Sequence, residues 1–120
     1  MLKSLTITFA LLAAPFATSF AALHHFRIEL ADKSKVITGH PFDVKITAVD
    51  ENGQKDTNIN QAIKLVVNSP RKENFEENVV LNSGEATVRI TMKNREIHIL
   101  TVTDGAPDKP IFNAITVEAR

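Results

Sequence analysis

The amino-acid sequence predicts an all-β fold class, a seven-stranded antiparallel β-sandwich. Apolar and polar residues alternate along most of the chain beyond residue 21, as they do in half-buried strands. The four glycines all fall between these alternating segments, where the chain must turn and where glycine does not weaken a strand. No segment of useful length beyond residue 21 has the period of an amphipathic helix. These observations together predict strands joined by turns and argue against a fold that mixes helices with strands.

Each strand is located by its own run of alternating residues. The predicted strands span residues 26–30, 42–49, 63–67, 79–81, 86–92, 96–103 and 115–117, with a short continuation of the first at 35–37 and a lead-in to the last at Ile111 and Phe112. In residues 42–49 the alternation is strict, because Phe42, Val44 and Ile46 share one face and the residues between them are polar. Residues 96–103 are apolar on both faces, which predicts a strand in the middle of a sheet.

Residues 1–21 are predicted to be a signal peptide that is removed from the mature chain. A positively charged start is followed by an apolar run at residues 5–16, which is too short for a membrane helix of about 20 residues. Small side chains stand at the two positions that a signal peptidase reads, so cleavage is expected after Ala21. Cleavage after Ala22 and an uncleaved anchor are the alternatives. The mature protein is then one β-sandwich domain, residues 22–120.

Composition and charge limit the kinds of partner. The full chain carries 14 basic and 14 acidic residues, and loss of Lys3 with the signal peptide leaves one net negative charge. A near-neutral surface argues against nucleic acid or an anionic membrane surface as a partner, and no membrane insertion is expected after cleavage. The chain has no cysteine, so it can carry neither a disulfide nor a lipid on a thiol. Export without disulfides favours a bacterial protein of the periplasm or the extracellular space.

Three segments carry a family resemblance. The stretch VITGHPFDVKITAVDENG at residues 36–53 resembles the opening of a bacterial immunoglobulin-like domain, the module of invasin- and intimin-type surface proteins. LNSGEATVRI at residues 81–90 and HILTVTDG at residues 98–105 are similar to its fifth and sixth strands, and Ile115 and Val117 fit the seventh. The resemblance covers the predicted mature chain as a single stand-alone module, in place of the usual tandem repeats. It implies an immunoglobulin-like sandwich with a role in binding, of the kind that serves cell adhesion.

The expected function is that of a non-catalytic binding or interaction module, which recognises a protein or a glycan partner. The sequence contains no His-Glu-x-x-His, no Gly-x-Ser-x-Gly and no phosphate-binding glycine loop, so no catalytic residue, cofactor or metal site is assigned. No motif identifies the residues that would bind the partner. A sandwich does leave strand edges unpaired, and a partner strand can add to such an edge.

An alternative function is binding of Cu(II) or Ni(II) by the mature N-terminus. Cleavage after Ala21 makes His24 the third residue, and cleavage after Ala22 makes His25 the third. A free amine, two deprotonated backbone amides and an imidazole can then surround one ion in the square-planar geometry that these metals prefer. The competing interpretation is that His24 and His25 are polar residues leading into the first strand.

Three further polar sites are predicted to be structural. Residues 50–56 contain several oxygen donors but predict a turn and not a calcium loop, because Lys55 interrupts them and no bidentate acid follows. His40 precedes a proline in a turn and is expected to be exposed. His98 lies in the predicted strand 96–103 and is expected to be a hydrogen-bonded histidine at the edge of the core.

A charged loop at residues 68–78 is the longest predicted connection, and loops carry function more often than scaffold strands do. Phe75 is its one aromatic residue, and it is expected either to cap the end of the sandwich or to anchor a partner. Glu76 and Glu77 are adjacent, so in an extended segment they point to opposite faces and cannot form a catalytic carboxylate pair.

Overall fold

The computed structural model describes residues 23–31, 36–70 and 73–120. The predicted signal peptide, residues 1–21, lies outside these ranges, as does Ala22. The described residues form seven strands: β1 (His25–Leu30), β2 (Phe42–Val49), β3 (Ala62–Asn68), β4 (Phe75–Val80), β5 (Glu85–Ile90), β6 (Ile97–Thr103) and β7 (Phe112–Glu118). Within this part of the chain there is no helix that could cross a membrane.

The seven strands form two antiparallel sheets. The three-stranded sheet has the order β1-β2-β5, and the four-stranded sheet has the order β4-β3-β6-β7. One cluster of buried side chains draws on both sheets, so the predicted all-β sandwich is confirmed. β4 joins the sheet of β3, whereas in a constant-type immunoglobulin domain the fourth strand joins the sheet of the first.

The core lies between the sheets and is built by the inward-facing residues of the alternating strands. Val44 and Ile46 of β2 are fully buried, and Leu65 of β3 and Leu100 of β6 are fully buried in the opposite sheet. Burial of each such side chain contributes about 1.5–3 kcal/mol to folding. As its apolar pattern predicted, β6 is an inner strand of the four-stranded sheet.

The two outer faces of the sandwich differ in composition. The three-stranded sheet presents charged side chains, with ion pairs between Arg89 and Asp43 (3.1 Å) and between Lys55 and Glu85 (2.9 Å). The four-stranded sheet presents four exposed apolar side chains: Val80, Ile97, Ile99 and Phe112. The apolar residues on the outer face of β6 are therefore open to solvent, although the strand is central.

β4 corrects one prediction of the sequence analysis. The strand predicted at residues 79–81 is longer, since β4 spans Phe75–Val80, and the loop predicted at residues 68–78 is correspondingly shorter. Phe75 therefore begins a strand and does not lie in a loop. The sequence prediction missed the first part of this strand because its residues are mostly polar and do not alternate with apolar ones. Such residues are tolerated because an edge strand beside an open groove can leave alternate side chains exposed to water.

Candidate functional site

A β-sandwich has two long sides, and along each of them an edge strand of one sheet faces an edge strand of the other. In this protein the side between β1 and β7 is closed by contacts between the two sheets. On this closed side, the side-chain amide of Asn113 donates a hydrogen bond to the main-chain oxygen of Phe26 (2.8 Å) and links the two sheets. Val36 adds a parallel bridge to Ala119. Of the continuation predicted at residues 35–37, Val36 forms this bridge, Ile37 is exposed and outside any strand, and residue 35 lies outside the described ranges.

The open side lies between the other two edge strands, β5 and β4. No backbone ladder joins residues 85–90 of β5 to residues 75–80 of β4. A groove of about 640 Å³ lies there, lined on one wall by residues 73–75 with Glu77 and on the other by residues 89–91 with Lys93 and Asn94. Its apolar floor comes from two residues that pack against the core, Phe75 and Ile90. A cleft on the closed side measures about 270 Å³.

Glu73 closes one end of the groove. It precedes β4 and is 8% exposed, and its main-chain N–H donates a hydrogen bond to the hydroxyl of Ser69 (3.0 Å). Its carboxylate accepts hydrogen bonds from the main-chain N–H of Lys93 (2.6 Å) and of Asn94 (2.9 Å), both in the connection between β5 and β6. A single carboxylate therefore joins the start of β4 to the turn that leaves the three-stranded sheet.

The surroundings of Glu73 keep its carboxylate ionised. Burial on its own raises the pKa of Glu73, but hydrogen bonds from Lys93, His98 and Asn94 outweigh burial, and the charge of His98 adds to them. The pKa of Glu73 therefore lies below the ordinary value for a glutamate. An ionised carboxylate in this position depends on its partners, because an unpaired buried charge costs several kcal/mol.

His98 is the partner that lies behind Glu73 in the core. Its side chain is fully buried on β6, with Nε2 at 2.8 Å from Glu73 Oε1 and Nδ1 at 3.0 Å from the main-chain oxygen of Glu96. Both oxygens are acceptors, so both contacts can be hydrogen bonds only when both ring nitrogens carry a proton. The prediction of a buried, hydrogen-bonded histidine is confirmed. The ion pair with Glu73 has no signal in the sequence, where Glu73 is one of several charged residues in a row.

The histidines near the start of the chain and the turn at residues 50–56 do not line the groove. His24 and His25 stand at the start of β1, where their Nδ1 atoms are 3.0 Å apart. His40 is exposed, as predicted. Residues 50–56 form a turn, as predicted, in which the Asp50 carboxylate accepts hydrogen bonds from the main chain of its own turn. Across the described ranges, no three potential metal ligands from His, Cys, Asp or Glu converge.

The acidic pair on β4 follows the predicted geometry. Glu76 points to the outer face and makes an exposed ion pair with Lys64 (3.5 Å). Glu77 lies opposite Leu65 in the strand register, so it follows the inward face and lines the groove. Phe75 is half-buried against the core and shares that inward face. The groove therefore combines an apolar floor with a carboxylate on the wall formed by β4.

No protein-family model matches this chain, and no curated protein matches it. The resemblance to bacterial immunoglobulin-like domains therefore stays a prediction, although a seven-stranded antiparallel sandwich of the kind it implies is present. The function has to be inferred from the geometry of the open side itself.

Proposed function

We propose that the protein is a non-catalytic interaction module that binds an extended segment of a protein partner along its open side. The observation that carries the proposal is the groove between β4 and β5, which has an apolar floor and a free strand edge on each wall. Main-chain groups of a free edge can pair with an added strand, while the groove accepts every second side chain of that strand. On the closed side, links at Asn113 and Val36 join the two sheets.

Glu77 defines the charge that the bound segment should carry. Its carboxylate lines the groove and has no ion pair within the described residues, whereas Arg89 on the opposite wall is already paired with Asp43. Lys93 also lines the groove, but it lies at the end that Glu73 closes, away from the middle of β4. A strand added beside β4 would set one inward side chain next to Phe75, the next beside Glu77 and a third beside Val79. The best match is a segment with apolar, basic and apolar residues at every second position.

A protein segment is favoured over a glycan by the same features. Sugar rings commonly stack on tryptophan or tyrosine, and the chain contains neither. The groove instead offers strand edges, whose regularly spaced main-chain groups match an extended peptide. The proposal includes export, so the partner would be met in the periplasm or outside the cell.

The test uses a synthetic peptide of about ten residues, a typical strand length, with Val-Thr-Lys-Thr-Val at its centre. Backbone amide NMR should show shifts confined to residues 73–80 and 89–94 when this peptide is added. A peptide with glutamate in place of the central lysine should bind about tenfold more weakly, because its charge repels Glu77. The variant Glu77→Lys should reverse this preference.

A control variant distinguishes the groove from the apolar outer face. Ile99→Ser removes an exposed apolar side chain from the outer face of β6 and should bind the lysine peptide as the unchanged protein does. Loss of binding in Ile99→Ser, together with unchanged preference in Glu77→Lys, would move the partner to the outer face. That result would contradict the open side as the binding site.

A second candidate function is binding of Cu(II) or Ni(II), favoured by the contact between His24 and His25. Their Nδ1 atoms are 3.0 Å apart, beside the predicted mature N-terminus, where the amine, two backbone amides and the imidazole of the third residue would hold the ion. Native mass spectrometry of protein from an exporting host, with and without stoichiometric Cu(II), tests this and reports whether cleavage follows Ala21 or Ala22. One bound copper that is lost in His24→Ala but kept in His40→Ala would support the site. No copper uptake would exclude it.

A further inference from the structure

We infer that Glu73 and His98 form a pH-dependent latch, which holds the end of the groove in its binding shape only while both nitrogens of His98 are protonated. The latch consists of these two side chains and the main-chain N–H groups of Lys93 and Asn94 that Glu73 holds. The inference rests on the proposed function, because it concerns regulation of the same open side. It is carried by a different observation, the buried hydrogen-bond network at one end of the groove.

The latch is part of the groove wall. Glu73, Lys93 and Asn94 all line the groove, and the carboxylate fixes the two main-chain N–H groups at 2.6 and 2.9 Å. His98 lies behind Glu73, has no exposed surface and does not line the groove. A change at His98 therefore reaches a bound segment through Glu73 and the turn that Glu73 holds.

Loss of one proton from His98 is incompatible with the observed contacts. A neutral imidazole has one donor nitrogen and one acceptor nitrogen. Its bare nitrogen would face either the Glu73 carboxylate or the Glu96 carbonyl, and water has no access because the side chain is fully buried. The ring or the carboxylate must then move. A motion of the carboxylate releases Lys93 and Asn94, whereas a motion of the ring removes one of the hydrogen bonds that hold the carboxylate in place. A rise in pH that removes one proton from His98 should therefore open the latch.

Glu73 is the carboxylate that contacts the ring of His98, and the half-buried Glu96 is the other acidic residue close to it in the chain. Glu73 faces the ring from the segment before β4, and Glu96 approaches it from the connection between β5 and β6. The neighbouring strands contribute uncharged residues, with Val117 of β7 directly opposite His98 and Val67 and Asn68 at the near end of β3. The other ionisable residues of the adjoining segments are exposed: Lys93, Arg95, Glu118 and Arg120.

Glu73 sets the acid limit of the latch. Burial opposes ionisation of Glu73, but its hydrogen bonds outweigh burial and lower its pKa in the folded protein. The stability that Glu73 contributes is therefore complete above the ordinary glutamate pKa of about 4.3 and is lost as the pH falls through the lowered value. The latch is closed between this acid limit and the loss of the His98 proton.

The experiment follows the ring nitrogens of His98 and the amides of Lys93 and Asn94 by NMR from about pH 5 to 8. We expect both ring nitrogens to be protonated at the acid end and both amide signals to move as His98 loses a proton. Affinity for the Val-Thr-Lys-Thr-Val peptide should fall about tenfold over the same range. The lysine of the peptide stays charged there, so the change arises in the protein.

Two variants assign the pH dependence to His98. His98→Gln retains a hydrogen-bonding side chain but has no proton to lose in this range, so its peptide affinity should not depend on pH. His40→Gln changes an exposed histidine and should retain the full dependence. If His98→Gln does not fold, Glu73→Gln replaces it, and the amides of Lys93 and Asn94 should then no longer respond to the titration.

The outcomes separate the latch from the proposed function. A His98 ring with a single protonated nitrogen throughout the range would overturn the latch. Peptide binding of constant affinity in the unchanged protein would overturn regulation by His98 and leave the open side as a binding site. Amide signals that move with pH in a protein that never binds the peptide would support the latch and overturn the proposed function.

Discussion

The closed and open sides of this sandwich join the same two sheets by different means. On the closed side the links are the bridge between Val36 and Ala119 and the side-chain amide of Asn113. On the open side, the link at the end of the groove is the buried carboxylate of Glu73 with the ring of His98 behind it. The closed side therefore depends on neutral hydrogen bonds, whereas the open side depends on two ionisable groups.

The different links on the two sides indicate where a sandwich of this kind can bind a partner. Links that run from edge strand to edge strand, as on the closed side, occupy the gap between the sheets. A carboxylate that holds only one end of the gap leaves most of the strand edge free, but the connection then depends on a buried charge pair. Binding and sensitivity to pH are consequently expected on the same side of the molecule.

The largest expected effect is that of Glu73→Ala, which breaks the link at the open side. It leaves the buried charge of His98 without a partner, so the free energy of unfolding should fall by about 3–5 kcal/mol in urea titrations. Glu76→Ala is the matched control, since its exposed pair with Lys64 should contribute less than about 1 kcal/mol. Equal losses in the two variants would contradict the role given to Glu73.

A smaller loss is expected from Gly84→Ala, at the other end of the open side. Gly84 has a φ of 84°, and an added Cβ would contact the main-chain oxygen of Asp56. Strain and contact together should lower the free energy of unfolding by at least about 2 kcal/mol. Gly53→Ala is the control, because Gly53 has a φ of 81° and open space around its Cβ, and should cost about 1 kcal/mol. Similar losses at both glycines would show that the close approach to Asp56 is unimportant.

On the closed side, Asn113→Ala should cost about 1 kcal/mol, the net contribution of one neutral hydrogen bond. The loss should be the same at every pH at which the protein is folded, unlike the loss in Glu73→Ala, and thermal unfolding at two pH values measures this. Asn78→Ala, at an exposed position of the other edge strand, is the control and should change stability by less than about 0.5 kcal/mol. A pH-dependent loss in Asn113→Ala would remove the distinction between the two sides.

The smallest effect is expected from Arg89→Ala, on the wall of the open side. Its pair with Asp43 is exposed and is screened by salt, so any loss of stability at low ionic strength should vanish at about 1 M salt. Chemical unfolding at both ionic strengths checks this. A loss that persists at high salt would mean that the wall, as well as the end of the groove, holds the sheets together.

A strand with regular alternation along its whole length could be predicted closely from the sequence, whereas the last strand, predicted at residues 115–117, spans Phe112–Glu118. The predicted range of β2 and the observed one, Phe42–Val49, coincide, because each inward position of that strand must be apolar. β4 was predicted too short, because Glu76 and Glu77 interrupt the apolar pattern. Those carboxylates are tolerated because the strand lies at an edge, and edge position follows from the sheet order and not from local sequence.

The candidate site was only partly predictable. The burial of His98 follows from its place in a strand of apolar residues, and it was expected. Its partner Glu73 is 25 positions away and reaches it only after the chain has crossed between the sheets twice. No local pattern marks Glu73 among its charged neighbours, so the pairing depends on the three-dimensional arrangement of β4, β5 and β6.

The inward direction of Glu77 has a consequence for how copies of this protein behave at high concentration. Two copies meeting along β4 would bring their two Glu77 carboxylates together, and β4 has no basic residue to offset them, whereas Glu76 is paired with Lys64. A charge that points inward on an edge strand discourages a sheet from continuing into an identical neighbour. The carboxylate that is proposed to select a basic segment would thereby also oppose polymerisation of the protein with itself.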